Sequence, residues 1–329
     1  MLFPCTDDSV LLLSRRREEL QPWFHFVLPA PDAVEMLVDK ARFSTWAERE
    51  GLPVPRTRLV RTAEDVEVAA KDLRFPCILK PAIKTREWKR HTRSKAFRVD
   101  DAAALRALFV RCTRWADTLV VQEWVEGGDD HHFTCNCYFG QGGEPLVTFT
   151  SRKLRQWPPV GGEGCLSEEV RNDAVRDETV RLFKRAGHRG LGYAEIKQDA
   201  RTGEYFIIEP NVGRPTGRSA QAEAAGVELL FTQYCDALKC PLPSARQQLF
   251  RGVKWIHTRR DIQSAVFHWS RGELSLRDWA RSWRGPKVDA LFSWSDPIPF
   301  WADLGHTALS VVRGRRRGAV SARPEGAYL

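Results

Sequence analysis

The stretch Tyr193-Ala-Glu-Ile-Lys-Gln-Asp-Ala-Arg-Thr-Gly-Glu-Tyr-Phe-Ile-Ile-Glu-Pro-Asn-Val-Gly-Arg214 constrains the chain most. Residues 194–198 and 204–209 are strand-type, and the turn formers of 199–203 lie between them, so the pattern predicts a hairpin. Side chains alternate across a strand, so Glu195 and Lys197 share a face, and Glu209 shares one with Asn211 if the strand continues through Pro210. Two carboxylates and an amide oxygen are the hard donors that Mg²⁺ takes alongside water and phosphate oxygens. A solvent-facing hairpin with ordinary surface acids is the competing reading.

The rest of the chain supplies cations and a scaffold. Residues 31–50 carry apolar side chains at 34, 37, 38, 41, 43, 46 and 47, which predicts one helix with Asp32 as its N-cap; on this period Lys40 is a solvated surface lysine. Phe75-Pro-Cys-Ile-Leu-Lys-Pro81 is a buried-type strand, confined by its prolines to a sheet edge or terminus. A lysine ending such a strand calls for an anion, so Lys80 is the better phosphate candidate. The basic run 84–95 reads as a mobile loop or solvated charge run. A helix is predicted over 100–115, a strand over 119–125, and two strands around Gly140-Gln-Gly-Gly143. Arg152-Lys-Leu-Arg155 followed by Pro158-Pro-Val-Gly-Gly-Glu-Gly164 places three cations before a loop whose backbone N–H groups suit an anion. Further helices are predicted over 167–187 and 219–239. Residues 10–13 read as a strand or helix end, with a strand after it. The tryptophan-rich remainder reads as rings packing a small lobe.

With 329 residues, 43% hydrophobic and 28% charged, the composition is that of a globular protein of roughly two domains. The net charge of +9 reads as spread along the chain apart from a few dense clusters, and favours anionic ligands. No zinc-finger spacing or aromatic RNA-binding motif accompanies it, so nucleic acid is not an expected partner. The eight scattered cysteines, with no secretory signal, read as reduced thiols of a cytoplasmic protein. A metal cluster at His131-His132-Phe-Thr-Cys135-Asn-Cys137 fits zinc spacing less well than one strand face. No apolar run reaches the length of a membrane span.

Taken together, Asp39-Lys40, Ile78-Leu-Lys-Pro81, Val121-Gln-Glu-Trp-Val-Glu-Gly127, Glu195 and Glu209-Pro-Asn211 resemble the motifs of the ATP-grasp superfamily over roughly 32–243. They look most like its carboxylate–amine ligases of the D-aspartate ligase type. The resemblance implies an α+β ATP-grasp fold with two α/β lobes gripping a nucleotide. Its parts would be a remnant of a Rossmann-like pre-domain (1–31), the ATP-grasp domain (32–243, lid lobe about 58–122), a C-terminal Trp-rich lobe (244–312) and a basic tail (313–329).

It also implies ATP and Mg²⁺ as cofactors, with Mn²⁺ as an alternative ion. Lys40 and Lys80 would meet phosphates. Gln122, Glu123 and Val125 would lie at the adenine hinge, with Asp129 or Asp130 near the ribose. Glu195, Glu209 and Asn211 would hold the metal, and Arg214, Arg152 and Lys153 would act on the reacting groups. The substrates implied are a small carboxylate and an amine, joined through an acyl phosphate; the alternative is a catalytically degraded nucleotide-binding protein with a regulatory or assembly role. An oligomer is left open. Where relatives carry Glu-x-Asn-x-Arg, this chain has Gly213 and places Arg214 one residue later. The basic run 84–95 replaces the usual glycine-rich lid.

Overall fold

The computed structural model describes residues 1–305 except 84, 93, 95, 160 and 161. The basic tail 313–329 and parts of the basic run and of the glycine-rich loop lie outside the described residues. Strands β1 (Thr57–Val60), β2 (Cys77–Pro81), β3 (Phe97–Val99) and β4 (Leu119–Glu123) form an antiparallel sheet in the order β1-β4-β2-β3. In β2 burial alternates, with Cys77 and Leu79 turned to the core. There they meet Val66 and Ala69 of helix Ala63–Asp72, and Leu105 and Phe109 of helix Ala102–Cys112. Each fully buried leucine contributes about 1.5–3 kcal/mol here.

The larger sheet contains β5 (His132–Phe139), β6 (Pro145–Trp157), β7 (Glu163–Glu169), β8 (Gly190–Gln198), β9 (Tyr205–Val212), β10 (Lys254–Ile256) and β11 (Lys287–Asp289), in the order β11-β10-β7-β6-β5-β8-β9. Helix Asp173–Arg185 and the N-terminal helices share its main core, through Val10, Val34, Leu37, Phe43, Leu182 and Phe183.

Several expectations are corrected. The helix predicted over 31–50 is two, Pro31–Val38 and Lys40–Arg49. Asp39 leaves the helical conformation between them and caps the second by accepting from the Ala41 N–H (2.8 Å) and the Arg42 N–H (3.1 Å). Asp32 is inside the first helix, whose N-cap is Ala30. Residues 7–15 are helical, closed by a Thr6/Ser9 capping box, and no strand forms over 24–28.

Strand β2 is interior, because its prolines fall at its ends and β3 pairs only with Cys77–Leu79. The basic run contains a helix, Arg86–His91, anchored by buried Trp88. The segment 167–187 begins as β7, where Gly164–Ser167 are buried, and becomes helical only at Asp173. The segment 219–239 is two helices, Ala220–Ala224 and Leu229–Ala237, parted at Gly226 with φ +82°.

The tryptophan-rich segment gives β10 and β11 to the large sheet rather than standing apart. Trp255 is buried in β10, and Trp279 and Trp283 donate their indole N–H groups to the buried Asp261. Trp269, Trp294 and Trp301 are exposed, so packing accounts for only some of the rings. All eight cysteines are free; Cys135 and Cys137 sit in the core on one face of β5. No helix among the described residues is long and apolar enough to cross a membrane.

His188 packs against Phe183 (ring centroids 4.4 Å) and edge-on to Phe139 (5.7 Å) with no exposed surface. Burial pulls its pKa from 6.5 down to about 3. The unfolded chain therefore takes up a proton between these values that the folded chain refuses, so this site's stability is intact above pH 6.5 and drains away as pH falls toward 3. His188→Phe is expected to remove that dependence. The stability of the wild type relative to the variant, from urea midpoints at pH 7, 6 and 5, should fall by about 1.4 kcal/mol per pH unit below the mid-sixes.

Candidate functional site

A cleft of ≈ 1580 Å³ opens between the two sheets, with Ile78 and residues 122–125 on the smaller sheet's side and Lys153, Gln156, Glu195, Lys197, Glu209 and Asn211 on the other. Its acidic centre follows from strand register. β8 and β9 pair Glu195 with Glu209 and Tyr193 with Asn211, and β9 remains extended through Pro210. Two carboxylates directly opposed in a sheet repel unless a cation lies between or beside them.

Lys40 is that cation, ion-paired through Nζ with Glu209. The interruption at Asp39 puts Lys40 on the first turn of its helix, and its side chain is 23% exposed, so the surface-lysine reading fails. Burial opposes its charge, but Glu209, Asp7 and Glu195 outweigh burial and its pKa rises.

Arg214 closes the other side. Its Nη1 donates to Tyr193 Oη (2.7 Å), its Nη2 to Asn211 Oδ1 (2.6 Å) and its Nε to Asp7 Oδ1 (2.7 Å). Gly213 explains the one-residue displacement of this arginine. Its φ is +71°, and a Cβ there would lie 2.3 Å from Leu28 Cδ2, so only glycine allows the turn that brings Arg214 back over Asn211. Asn211 Oδ1 retains a second lone pair for a metal.

At the hinge, the Glu123 N–H donates to the Arg56 carbonyl (2.9 Å) and the Trp124 N–H to the Pro76 carbonyl (3.0 Å), which fixes the chain up to Val125. The Glu123 carboxylate accepts from the Arg74 N–H (3.0 Å). Lys80 shares a β2 face with Ile78 and donates to Gln122 Oε1 (2.9 Å). Asp129 accepts from the Gln156 N–H (3.0 Å), and burial raises its pKa, so it ties the hinge to β6; Asp130, the more exposed of the two, pairs with His131.

Of the cations in 152–155, Lys153 lines the cleft and donates to Gln156 Oε1 (3.1 Å). Arg152 is not among the residues lining the cleft; its side chain is ion-paired with Glu168 across β6 and β7. Arg155 is held by Asp261 through two hydrogen bonds of 2.7 and 3.0 Å.

Among the cleft residues that escaped the sequence reading of the site are Asp7, Tyr193 and Lys197. Lys197 lies 4.7 Å over the Trp124 ring, and burial, reinforced by Lys153, lowers its pKa to about 8. Its place two residues after Glu195 was the available signal. Burial also pushes His132 well below its usual range, with Lys153, Lys197 and Arg218 contributing. This part of the cleft floor is thus a desolvated group of cations.

Two sheets closing on a cleft, with the acidic pair on one and residues 122–125 on the other, give the chain the ATP-grasp fold. The biotin carboxylase domain of 2-oxoglutarate carboxylase from Hydrogenobacter thermophilus, solved with magnesium ADP and bicarbonate, matches with a TM-score of 0.58 at 16% identity, over 72% of this chain and 52% of that one. In sequence the chain is similar to carboxylate–amine ligases. D-aspartate ligase of Enterococcus faecium is 24% identical over 232 residues, 67% of this chain and 54% of that protein. D-alanine–D-alanine ligase of Ectopseudomonas mendocina is 26% identical over 193 residues, 54% of this chain and 56% of that protein. The chain thus spans about half the length of these curated relatives. No family model matches it.

Proposed function

We propose that this protein is an ATP- and Mg²⁺-dependent ligase that joins a small carboxylate to an amine. The observation that carries the proposal is the register pair Glu195–Glu209 facing the cleft with Asn211, Lys40 and Arg214 gathered around it. The donor set fits Mg²⁺: two carboxylates and an amide oxygen leave positions for phosphate oxygens and water. Bound there, Mg²⁺ would neutralise phosphate charge during transfer.

The chain's own residues do the rest. Gln122 and the backbone of 123–125 hold the base, while Lys80 and the cations of the floor orient the phosphates. The substrate carboxylate oxygen attacks the γ-phosphorus and ADP departs. The amine nitrogen then attacks the acyl carbon, phosphate leaves, and the amine proton passes to solvent. Arg214 is aimed where negative charge gathers on the acyl oxygen, and Lys153 approaches from β6. Positioning of the reactants in the cleft supplies much of the acceleration.

Purified protein with Mg-ATP and pooled amino acids and amines should release ADP only when both a carboxylate and an amine are present. Tight ATP binding without such release would favour a nucleotide-binding protein of regulatory role. Absence of ATP binding would overturn the site assignment.

A further inference from the structure

The net positive charge of this chain is concentrated in its C-terminal part, whereas the sequence reading had it spread along the chain apart from a few dense clusters. Residues 244–329 carry 15 Lys and Arg against 7 Asp and Glu, a net of +8, whereas residues 1–243 carry 36 against 35, a net of +1. The same part of the chain bears the most exposed apolar side chain among the described residues, Trp294. Along helix Thr258–Ser270, Ile262, Val266 and Trp269 recur at helical spacing on the outer face, Val266 and Trp269 each being 55% exposed. They line one shallow apolar depression with Leu274 and Leu276. Trp294, 93% exposed, and Ile298 and Trp301 stand nearby in sequence, and Arg259 ties residues 298–305 to the same helix through Asp303. Arg271, Arg277, Arg281 and Arg284 are exposed in the segment that follows this helix, Arg271 paired with Glu273 and Arg281 with Asp278.

We propose that this face docks the protein on an anionic membrane surface. Exposed tryptophans beside branched aliphatic side chains suit the boundary between headgroups and acyl chains, and a rim of arginines suits acidic lipid headgroups. The exposed tryptophans and the net charge of +8 in residues 244–329 together match a surface that is both apolar and acidic, as an anionic membrane is. The arginines of Arg313-Gly-Arg-Arg-Arg317 extend the cationic sequence beyond the described residues. Ile262, Val266, Trp269 and Trp294 do not line the cleft, whereas Arg271 and Leu274 stand at its border, so the docking face adjoins the cleft.

The test is sedimentation of the full chain with phosphatidylcholine vesicles, with and without phosphatidylglycerol, at low and high salt. Partition should rise about tenfold with the acidic lipid and fall with salt. The Ile262→Ser/Val266→Ser/Trp269→Ser variant should lose about tenfold in partition while its ATP affinity is unchanged. Should that variant fold poorly, Trp294→Ser serves in its place, and a blue shift of tryptophan emission on vesicles that is diminished in this variant gives a second readout. Equal partition onto neutral and acidic vesicles, no partition at low salt, or partition indifferent to these substitutions would overturn the proposal. Self-association abolished by the triple substitution, without vesicle binding, would reassign the face to a second copy of the chain.

Discussion

Glu209→Gln is expected to lower carboxylate- and amine-dependent ADP release by on the order of 10²-fold or more, since even the outer partners of metal ligands are worth 10–100-fold. The substitution keeps volume and the possibility of one hydrogen bond while removing a charge. It acts twice. The pair opposite Glu195 loses one hard anionic donor, and Lys40, partly buried, loses the carboxylate that raises its pKa. The loss should therefore be only partly recovered by raising Mg²⁺, and Mn²⁺, which accepts softer donors, should rescue more than Mg²⁺ does. Full activity in the variant, measured as steady-state ADP release across a metal titration, would remove Glu209 from the centre of the site.

Asp261→Ala should cost about 3–5 kcal/mol of folding stability, the range found when one partner of a buried ion pair is deleted. Asp261 has no exposed surface and receives two hydrogen bonds from Arg155 and one each from the indoles of Trp279 (2.9 Å) and Trp283 (2.7 Å). Its removal leaves a guanidinium and two indole N–H groups unsatisfied. Because Arg155 is on β6 beside Lys153, activity should suffer along with stability. The double change Arg155→Met/Asp261→Leu should be milder than Asp261→Ala, since it leaves no buried charge alone. Equal urea midpoints for the wild type and Asp261→Ala would show that this cluster carries no weight.

The parts of the site legible in the sequence were local. The alternation of 194–198 and 204–209 around a turn needs no tertiary knowledge, and it put Glu195, Glu209 and Asn211 on the strands where they are found. Lys40 was hidden because the apolar period continues across Asp39; the break depends on that carboxylate turning back to cap the next helix. Asp7 carried no local signal, being acidic in the first turn of an ordinary helix, and only the return of the chain at Gly213 brings Arg214 to it. Arg152 and Lys153 look alike in a cationic run, and strand alternation alone separates them, with Lys153 in the cleft and Arg152 on Glu168. The strands β10 and β11 are three residues each, too short for a period to register, and their place in the sheet is decided by β7 alongside.

The pairings that finish the site also set an order on its formation. The smaller sheet and its helices lie within residues 57–123, so their contacts become available as soon as that stretch leaves the ribosome. Lys40 must wait for a carboxylate 169 residues later, Asp7 for an arginine 207 later, and Arg155 for an aspartate 106 later. During synthesis the smaller sheet therefore precedes the completed cleft, and a nascent chain halted before residue 261 holds the desolvating strand β6 with its arginine still unmatched. On the proposed function, a nucleotide held between both sheets would have its full site only after the last of these three pairs has closed.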